Sequence, residues 1–310
     1  MRYYFAPLEG LTDSTFRRIH HKYFPEGLDR YYTPFFSPTV HRALTPREAR
    51  ELPPADTLDI TVIPQLLTKV ADDFLWMAQQ CKDLGYEEVN LNLGCPSGTV
   101  TAKGKGSGML REPDTLDALL EDIFSHSCLP ISVKTRVGFY DASEFPRLLE
   151  IFNRYPIQEL TVHPRIRTAF YKGTVDMEMF RLCMQESKNP VCYNGDITSV
   201  AQAEALQKEY PALQAVMIGR GLIGDPGMLT PGGTDRNALC AYLDTLLEEY
   251  LVIFGGSRNA MFRMKEHWGM LIGKFENNEK LAKQLRKTTD IDQFRSITHQ
   301  ILQTLPMKGE

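Results

Sequence analysis

The chain has 310 residues, 43% hydrophobic and 24% charged, an ordinary globular composition with material for a sizeable core. Its formal net charge of −4 excludes a chain that is basic throughout, as a simple nucleic-acid-coating protein would be. The opening Met1-Arg2-Tyr3-Tyr4-Phe5-Ala6-Pro7 has no secretory h-region, and no apolar run approaches the ~20 residues of a membrane span.

Short β-rich runs recur along the chain, each followed by a helical stretch. The pattern predicts strands at Tyr3–Ala6, Arg30–Thr33, Thr61–Gln65, Glu88–Asn92, Ile131–Thr135, Glu159–His163, Val191–Asn194 and Ala215–Gly219. Most are apolar on both faces, as parallel strands covered by helices should be. Intervening helices are clearest at Asp72–Leu84, Asp114–Ser125, Ser143–Tyr155 and Ser199–Glu209, each opening near an Asp or Ser that can cap it. Eight β/α units predict an α/β fold, a (β/α)₈ TIM barrel; a doubly wound sheet would normally use fewer strands.

The pattern changes at Thr230-Pro231-Gly232-Gly233, a chain breaker. Beyond it, helices are predicted at Asn237–Phe254, Asn259–Lys274, Asn278–Thr288 and Ile291–Leu305. The expected division is therefore a barrel over 1–235 and a small all-helical domain over 236–310. The latter holds 11 Lys+Arg against 9 Asp+Glu, a net of +2, and the rest carries −6.

In such a barrel the functional groups lie at the C-terminal ends of the strands. Read there, the sequence gives Ala6-Pro7-Leu8-Glu9-Gly10, then Gln65, then Asn92-Leu93-Gly94-Cys95-Pro96, Lys134-Thr135-Arg136, His163-Pro164-Arg165, Asn194-Gly195-Asp196 and Gly219-Arg220-Gly221. Gly195 and Gly219 allow close approach of backbone N–H groups to an anion after strands seven and eight. Arg220 adds a cationic fork, so a phosphate is expected there, of FMN or of a sugar phosphate. Gln65 can meet the pyrimidine edge of a flavin, and Lys134 can supply a cation near its N1–O2. An unpaired ammonium is costly to bury, which favours a functional Lys134 over a structural one. A lone His such as His163 at a strand end is more often structural than functional. Cys95 stands past its strand, in a glycine-rich stretch running to Gly108 that carries Lys103 and Lys105 and is expected to be mobile and to close over a substrate. The Gly104-x-Gly106-x-Gly108 run opens no helix directly after a strand, which rules out a dinucleotide fingerprint. None of the six cysteines forms a CxxC pair, so no metal is expected. With no export signal, the thiols read as reduced and cytoplasmic.

Six motifs in order resemble the tRNA-dihydrouridine synthase family: Ala6-Pro7-Leu8-x-Gly10-x-Thr12-Asp13, Asn92-x-Gly94-Cys95-Pro96-Ser97, Val133-Lys134-x-Arg136-x-Gly138, His163-x-Arg165-x-Arg167, Asn194-Gly195-Asp196 and Gly219-Arg220-Gly221. They span about residues 3 to 225. Leu8 replaces a common Met, and Pro164 stands where small residues are usual. The resemblance implies an FMN barrel reduced by NADPH, and a helical RNA-binding domain acting on tRNA. It implies that Cys95 protonates uracil C5 and that Asn92 holds the uracil. Pro7, Leu8, Gln65, Lys134 and His163 would contact FMN, with Asn194, Gly195, Asp196, Gly219 and Arg220 at its phosphate end. Arg165 and Arg167, with Lys103 and Lys105, would meet the target nucleotide or its phosphates. The alternative is an FMN-dependent enzyme of free pyrimidines, of the dihydroorotate dehydrogenase type, which would need no basic helical domain. RNA contacts in the tail are expected from Arg258, Arg263, Lys265, Lys274, Lys280, Lys283, Arg286 and Lys287, on a chain acting as a monomer.

Overall fold

A computed structural model describes residues 1–39 and 41–309. In chain order the elements are β1 (Arg2–Phe5), α1 (Ser14–Tyr23), β2 (Arg30–Tyr32), α2 (Pro46–Glu51), β3 (Val62–Ile63), β4 (Gln65–Leu66), α3 (Ala71–Asp83), β5 (Val89–Leu93), α4 (Gly98–Thr101), α5 (Pro113–His126), β6 (Ile131–Gly138), α6 (Phe145–Phe152), β7 (Leu160–Ile166), α7 (Met177–Glu186), β8 (Val191–Tyr193), α8 (Val200–Glu209), β9 (Ala215–Ile218) and α9 (Arg220–Gly224). Four helices follow: α10 (Arg236–Phe254), α11 (Ser257–Leu271), α12 (Glu279–Lys287) and α13 (Ile291–Thr304).

The strands form one parallel sheet in the order β3-β2-β1-β9-β8-β7-β6-β5-β4. Its two ends are halves of a single predicted strand, broken at Pro64. Lacking an N–H, Pro64 cannot continue a ladder as donor. Before it, Ile63 pairs with Tyr32 of β2, and after it Gln65 pairs with Asn90 of β5. Pro64 still accepts a bond from the Asn90 amide at 2.8 Å. The chain thus changes partner at one residue, and eight predicted strands become nine segments of a nearly closed (β/α)₈ barrel. Tyr4, Ala6, Tyr32, Ile63, Cys192, Ala215 and Met217 pack together as a buried cluster of its core. The predicted helix over 143–155 is shorter than expected, starting with a 3₁₀ turn at Ala142–Glu144 before α6, where Pro146 occupies the first turn.

The chain divides into two compact units. The first comprises Met1–Pro7, Asp29–Asp196 and Ala203–Met217, which is the strands and most covering helices. The second gathers Leu8–Leu28, Ile197–Gln202 and Ile218–Glu310. Within the second, α1 packs against α10, with the Phe16 ring stacked on His267 at 5.1 Å and Tyr242 edge-on to Phe24 at 5.5 Å. Asp13 caps α1 through the Phe16 amide and also accepts from Arg263 at 2.9 Å and from the Tyr250 hydroxyl at 3.2 Å. Among the described residues no helix is long and apolar enough to cross a membrane.

In the first unit, Glu159 precedes β7 and is buried. One carboxylate oxygen accepts from Arg2 and from the Tyr4 hydroxyl, both at 3.0 Å, and the other has no hydrogen-bond partner among the described residues. Burial raises its pKa to about 7, against the pull of Arg2 and Tyr4. The folded protein therefore holds this proton more tightly than the unfolded chain does. The contribution is fully present below the unfolded value near 4.5 and is lost as pH rises through about 7. Glu159→Gln should remove that loss. Its stability relative to the parent, read from guanidinium midpoints, should improve by up to ~3 kcal/mol between pH 4.5 and pH 8. A difference that does not vary with pH would show that Glu159 does not titrate in this range.

Candidate active site

Alternation along the strands sends one set of side chains into the barrel. Register places Asn90 beside Ser132, Asn92 beside Lys134, and Arg136 beside His163. The amides form a relay: Asn92 Nδ2 donates to Gln65 Oε1 at 2.6 Å, Gln65 Nε2 to Asn90 Oδ1 at 2.8 Å, and Asn90 Nδ2 to Ser132 Oγ at 2.9 Å. Asn92 Oδ1 accepts from the backbone amides of Gly94 and Cys95 at 3.0 and 2.9 Å. Asn92 therefore sets the turn that presents Cys95.

The carbonyl of Cys95 is held as firmly, by the Ser107 hydroxyl at 2.7 Å and the Ser107 amide at 3.2 Å. The segment after Cys95 differs from the expected loose flap. It contains α4 and a 3₁₀ turn over Gly106–Arg111 whose residues Gly106–Leu110 are buried. Gly106 adopts φ +58°, and a Cβ there would sit 3.1 Å from that of Cys95, so glycine lets this turn close on the thiol-bearing residue. Glycines here serve packing rather than slack. Lys105 Nζ donates to Ser37 Oγ at 2.7 Å, whereas Lys103 is exposed.

Lys134 is partly buried on β6. No hydrogen bond or ion pair of its ammonium occurs among the described residues. Burial, with help from the Arg136 charge, lowers its pKa to about 7. Arg136 is fully buried and donates to three carbonyls: Gly94 at 2.8 Å, Ile166 at 3.1 Å and Phe170 at 2.8 Å. It ties the Cys95 turn to the end of β7. Sequence reading passed over Arg136 as a site residue; its alternation with Lys134 on one strand face was the available signal.

Arg165 is also buried, and all five of its N–H hydrogens are placed on protein. Nη1 meets His163 Nε2 and Asp196 Oδ1, both at 3.1 Å; Nη2 meets the Gly173 carbonyl at 2.6 Å and Asp196 Oδ2; Nε meets the Lys172 carbonyl at 3.3 Å. The expectation that Arg165 faces a nucleotide finds no free donor here. Instead it fixes Asp196 and orients His163. Because guanidinium only donates, His163 Nε2 accepts, and the ring carries its proton on Nδ1. The ring stacks on Tyr171 at 5.9 Å. Arg167 braces the same region, donating to the Pro96 carbonyl at 3.1 Å and Thr101 Oγ1 at 3.2 Å, with its guanidinium over Phe139 and Phe170.

At the end of β8, Asn194 Nδ2 donates to the Met217 carbonyl at 2.8 Å. A Cβ on Gly195 would lie 2.1 Å from the Tyr193 hydroxyl, so a side chain there would displace that ring. Pro7 follows β1 in the same unit. In the second unit, Leu8 lies in a turn whose amide is held by Thr12 Oγ1 at 2.9 Å, and Gly219 precedes α9 with Arg220 exposed at its start.

A parallel barrel with an amide relay, a desolvated lysine and a positioned thiol at its strand ends suits flavin chemistry, and the family match makes the chain a flavin-dependent oxidoreductase. The first unit passes a test of fit for such a cofactor: Lys134 lacks an acceptor that an electron-rich ring edge would supply, beside the Gln65 amide. The chain belongs to the dihydrouridine synthase family, whose model matches residues 4–304. It is 29% identical over 314 residues to a probable tRNA-dihydrouridine synthase 1 of Synechocystis sp., spanning 96% of this chain and 86% of that protein. Against a probable tRNA-dihydrouridine synthase of Rickettsia bellii it is 31% identical over 261 residues, 80% of this chain and 78% of that one. Among solved structures it is similar in fold to histamine dehydrogenase from Rhizobium sp. 4-9, with a TM-score of 0.55, 12% identity, and coverage of 79% of this chain and 49% of that one. A variant of NCR from Zymomonas mobilis gives a TM-score of 0.50 at 12% identity over 73% of this chain and 83% of that one.

Proposed function

We propose that the protein reduces the C5–C6 double bond of uridine in tRNA, with FMN as its bound cofactor and NADPH as the reductant. The observation that carries the chemistry is the pairing of Lys134, an ammonium with no acceptor among the described residues, with Cys95, held at both its amide and its carbonyl. When bound and reduced, FMN supplies a hydride for uracil C6. Cys95 Sγ–H gives the proton to C5 and recovers one from water. Asn92 positions the thiol through the Gly94–Cys95 amides, and Gln65 offers its remaining amide hydrogen. His163 is fixed by Arg165 at the end of β7. Pro7, Asn194, Gly195 and Asp196 complete the cofactor residues of the first unit; for Leu8, Gly219 and Arg220 that role rests on the resemblance alone. The target base must leave its stack to be reached. The test is direct. Purified protein should be yellow with one FMN, and NADPH oxidation coupled to dihydrouridine formation should require unmodified tRNA and fail with free uridine. A preparation that cannot be reconstituted with FMN, or that prefers free pyrimidines, would overturn the proposal.

The helical tail is proposed to grip the RNA backbone. Of its eight candidate cations, three are engaged within the second unit: Arg263 with Asp13, Lys274 with Asp225, and Lys265 with the carbonyls of Arg286 and Thr288. Arg258, Lys280, Lys283, Arg286 and Lys287 are exposed. Four of these lie on α12, whose other face buries Leu281, Ala282 and Leu285. Lys283→Glu with Lys287→Glu should leave the fold intact. It should flatten the dependence of tRNA affinity on salt by roughly 0.7–0.9 logarithmic units per lost contact. An unchanged slope would place the RNA grip elsewhere.

A further inference from the structure

The absence of CxxC spacing predicts no metal, but the fold gathers donors that the sequence keeps apart. Cys240 and Asp244 stand one turn apart on α10, so they share a face. His299 reaches them from α13. Its Nε2 lies 2.9 Å from Asp244 Oδ1, and Cys240 Sγ lies 3.8 Å from Asp244 Oδ2. All three donor atoms fall within 4.8 Å of one another. We propose that Cys240, Asp244 and His299 form a binding site for a divalent cation of the zinc class.

The spacing fits that ion. Tetrahedral bonds of about 2.0–2.3 Å put sulfur and oxygen about 3.5 Å apart, and nitrogen and oxygen about 3.3 Å apart. Sulfur and nitrogen lie beside different oxygens of Asp244, and the three donor atoms lie within 4.8 Å of one another. Closing them onto one ion takes shifts of up to about 1.3 Å, within the reach of side-chain torsions. The donor set of thiolate, imidazole and carboxylate selects zinc over magnesium or calcium, which take oxygen ligands. Three protein donors leave the fourth position to water. Binding replaces the Cys240 thiol proton, released to solvent, and takes the neutral His299 ring as the tautomer with its proton on Nδ1, so that the Nε2 lone pair meets the ion. The surroundings keep the donors in register: one turn further along, Arg295 Nη1 meets Glu248 Oε1 at 2.5 Å between the same two helices. The ion would thus fasten the last helix to α10, a role separate from the redox site.

Cobalt(II) serves as the spectroscopic probe on the full chain, anaerobically with a non-chelating reductant. One equivalent should produce thiolate charge-transfer and tetrahedral ligand-field bands. Cys240→Ser and His299→Gln, both at part-exposed positions that tolerate polar residues, should abolish the bands. Each should weaken zinc affinity by more than the roughly 10–100-fold that losing a partner behind a ligand costs. Zinc should raise the thermal midpoint of the parent and not of either variant. Cys95 and Cys128 are also part-exposed, so Cys95→Ser and Cys128→Ser should keep the bands. Bands that survive Cys240→Ser would place the ion at another thiol, and a parent midpoint that ignores zinc would show an Asp244–His299 contact only; either result overturns the site.

Discussion

Cys95→Ala is expected to slow dihydrouridine formation by about 10²–10⁴-fold, the usual contribution of a positioned general acid. FMN content and the rate at which NADPH reduces the bound flavin should stay close to those of the parent, because neither step needs the C5 proton. The substitution removes a part-exposed sulfur, while the backbone bonds from Ser107 and to Asn92 remain, so the turn should keep its shape. Single-turnover reoxidation of reduced enzyme by tRNA separates the two steps. Reoxidation at the parent rate, with product formed, would show that Cys95 is only a loop residue.

Lys134→Met should move stability and activity in opposite directions. The ammonium costs the folded state because burial lowers its pKa to about 7 from an ordinary 10.5. The folded chain binds that proton less tightly than the unfolded chain does. The penalty is therefore fully present below about pH 7 and fades as pH approaches 10.5. Methionine of similar length should stabilise the cofactor-free protein by a few kcal/mol at pH 6 and by little at pH 10. The same variant should bind FMN more weakly and lose most tRNA-dependent NADPH oxidation, since no cation then faces the ring. A variant that is no more stable at pH 6, yet fully active, would refute both the electrostatic reading and the assigned role.

Element positions were legible because the chain alternates apolar strands with capped helices at regular intervals; all four tail helices lie close to their predicted limits. The break of the third strand was legible only in part. Pro64 is visible in sequence, but the change of pairing partner there depends on the ring closing. At the candidate site, sequence named residues at strand ends, while what each side chain touches depends on partners distant along the chain. Arg165 reads as a free cation until Lys172, Gly173 and Asp196 are found around it. Asn92 reads as a substrate ligand, and only the fold shows that its oxygen also accepts from the Cys95 amide. The glycine-rich stretch reads as slack because composition does not reveal that Gly106 is a contact. His299 lies 55 residues from Asp244, and no local motif could have joined them.

The packing of α1 on α10 has a consequence for synthesis. The rings of Phe16 and His20 meet Tyr242 and His267 only after more than two hundred further residues have been made. At about 5–20 residues per second, the apolar face of α1 waits on the order of tens of seconds for its cover. During that interval the nascent chain carries an amphipathic helix with no partner of its own unit. Premature release, or a stall before α11 emerges, would leave that face bare and prone to association with other incomplete chains. Binding of a trigger-type chaperone to the α1 segment on ribosome-stalled chains, and its release once α11 clears the exit tunnel, would be the kinetic signature of this arrangement.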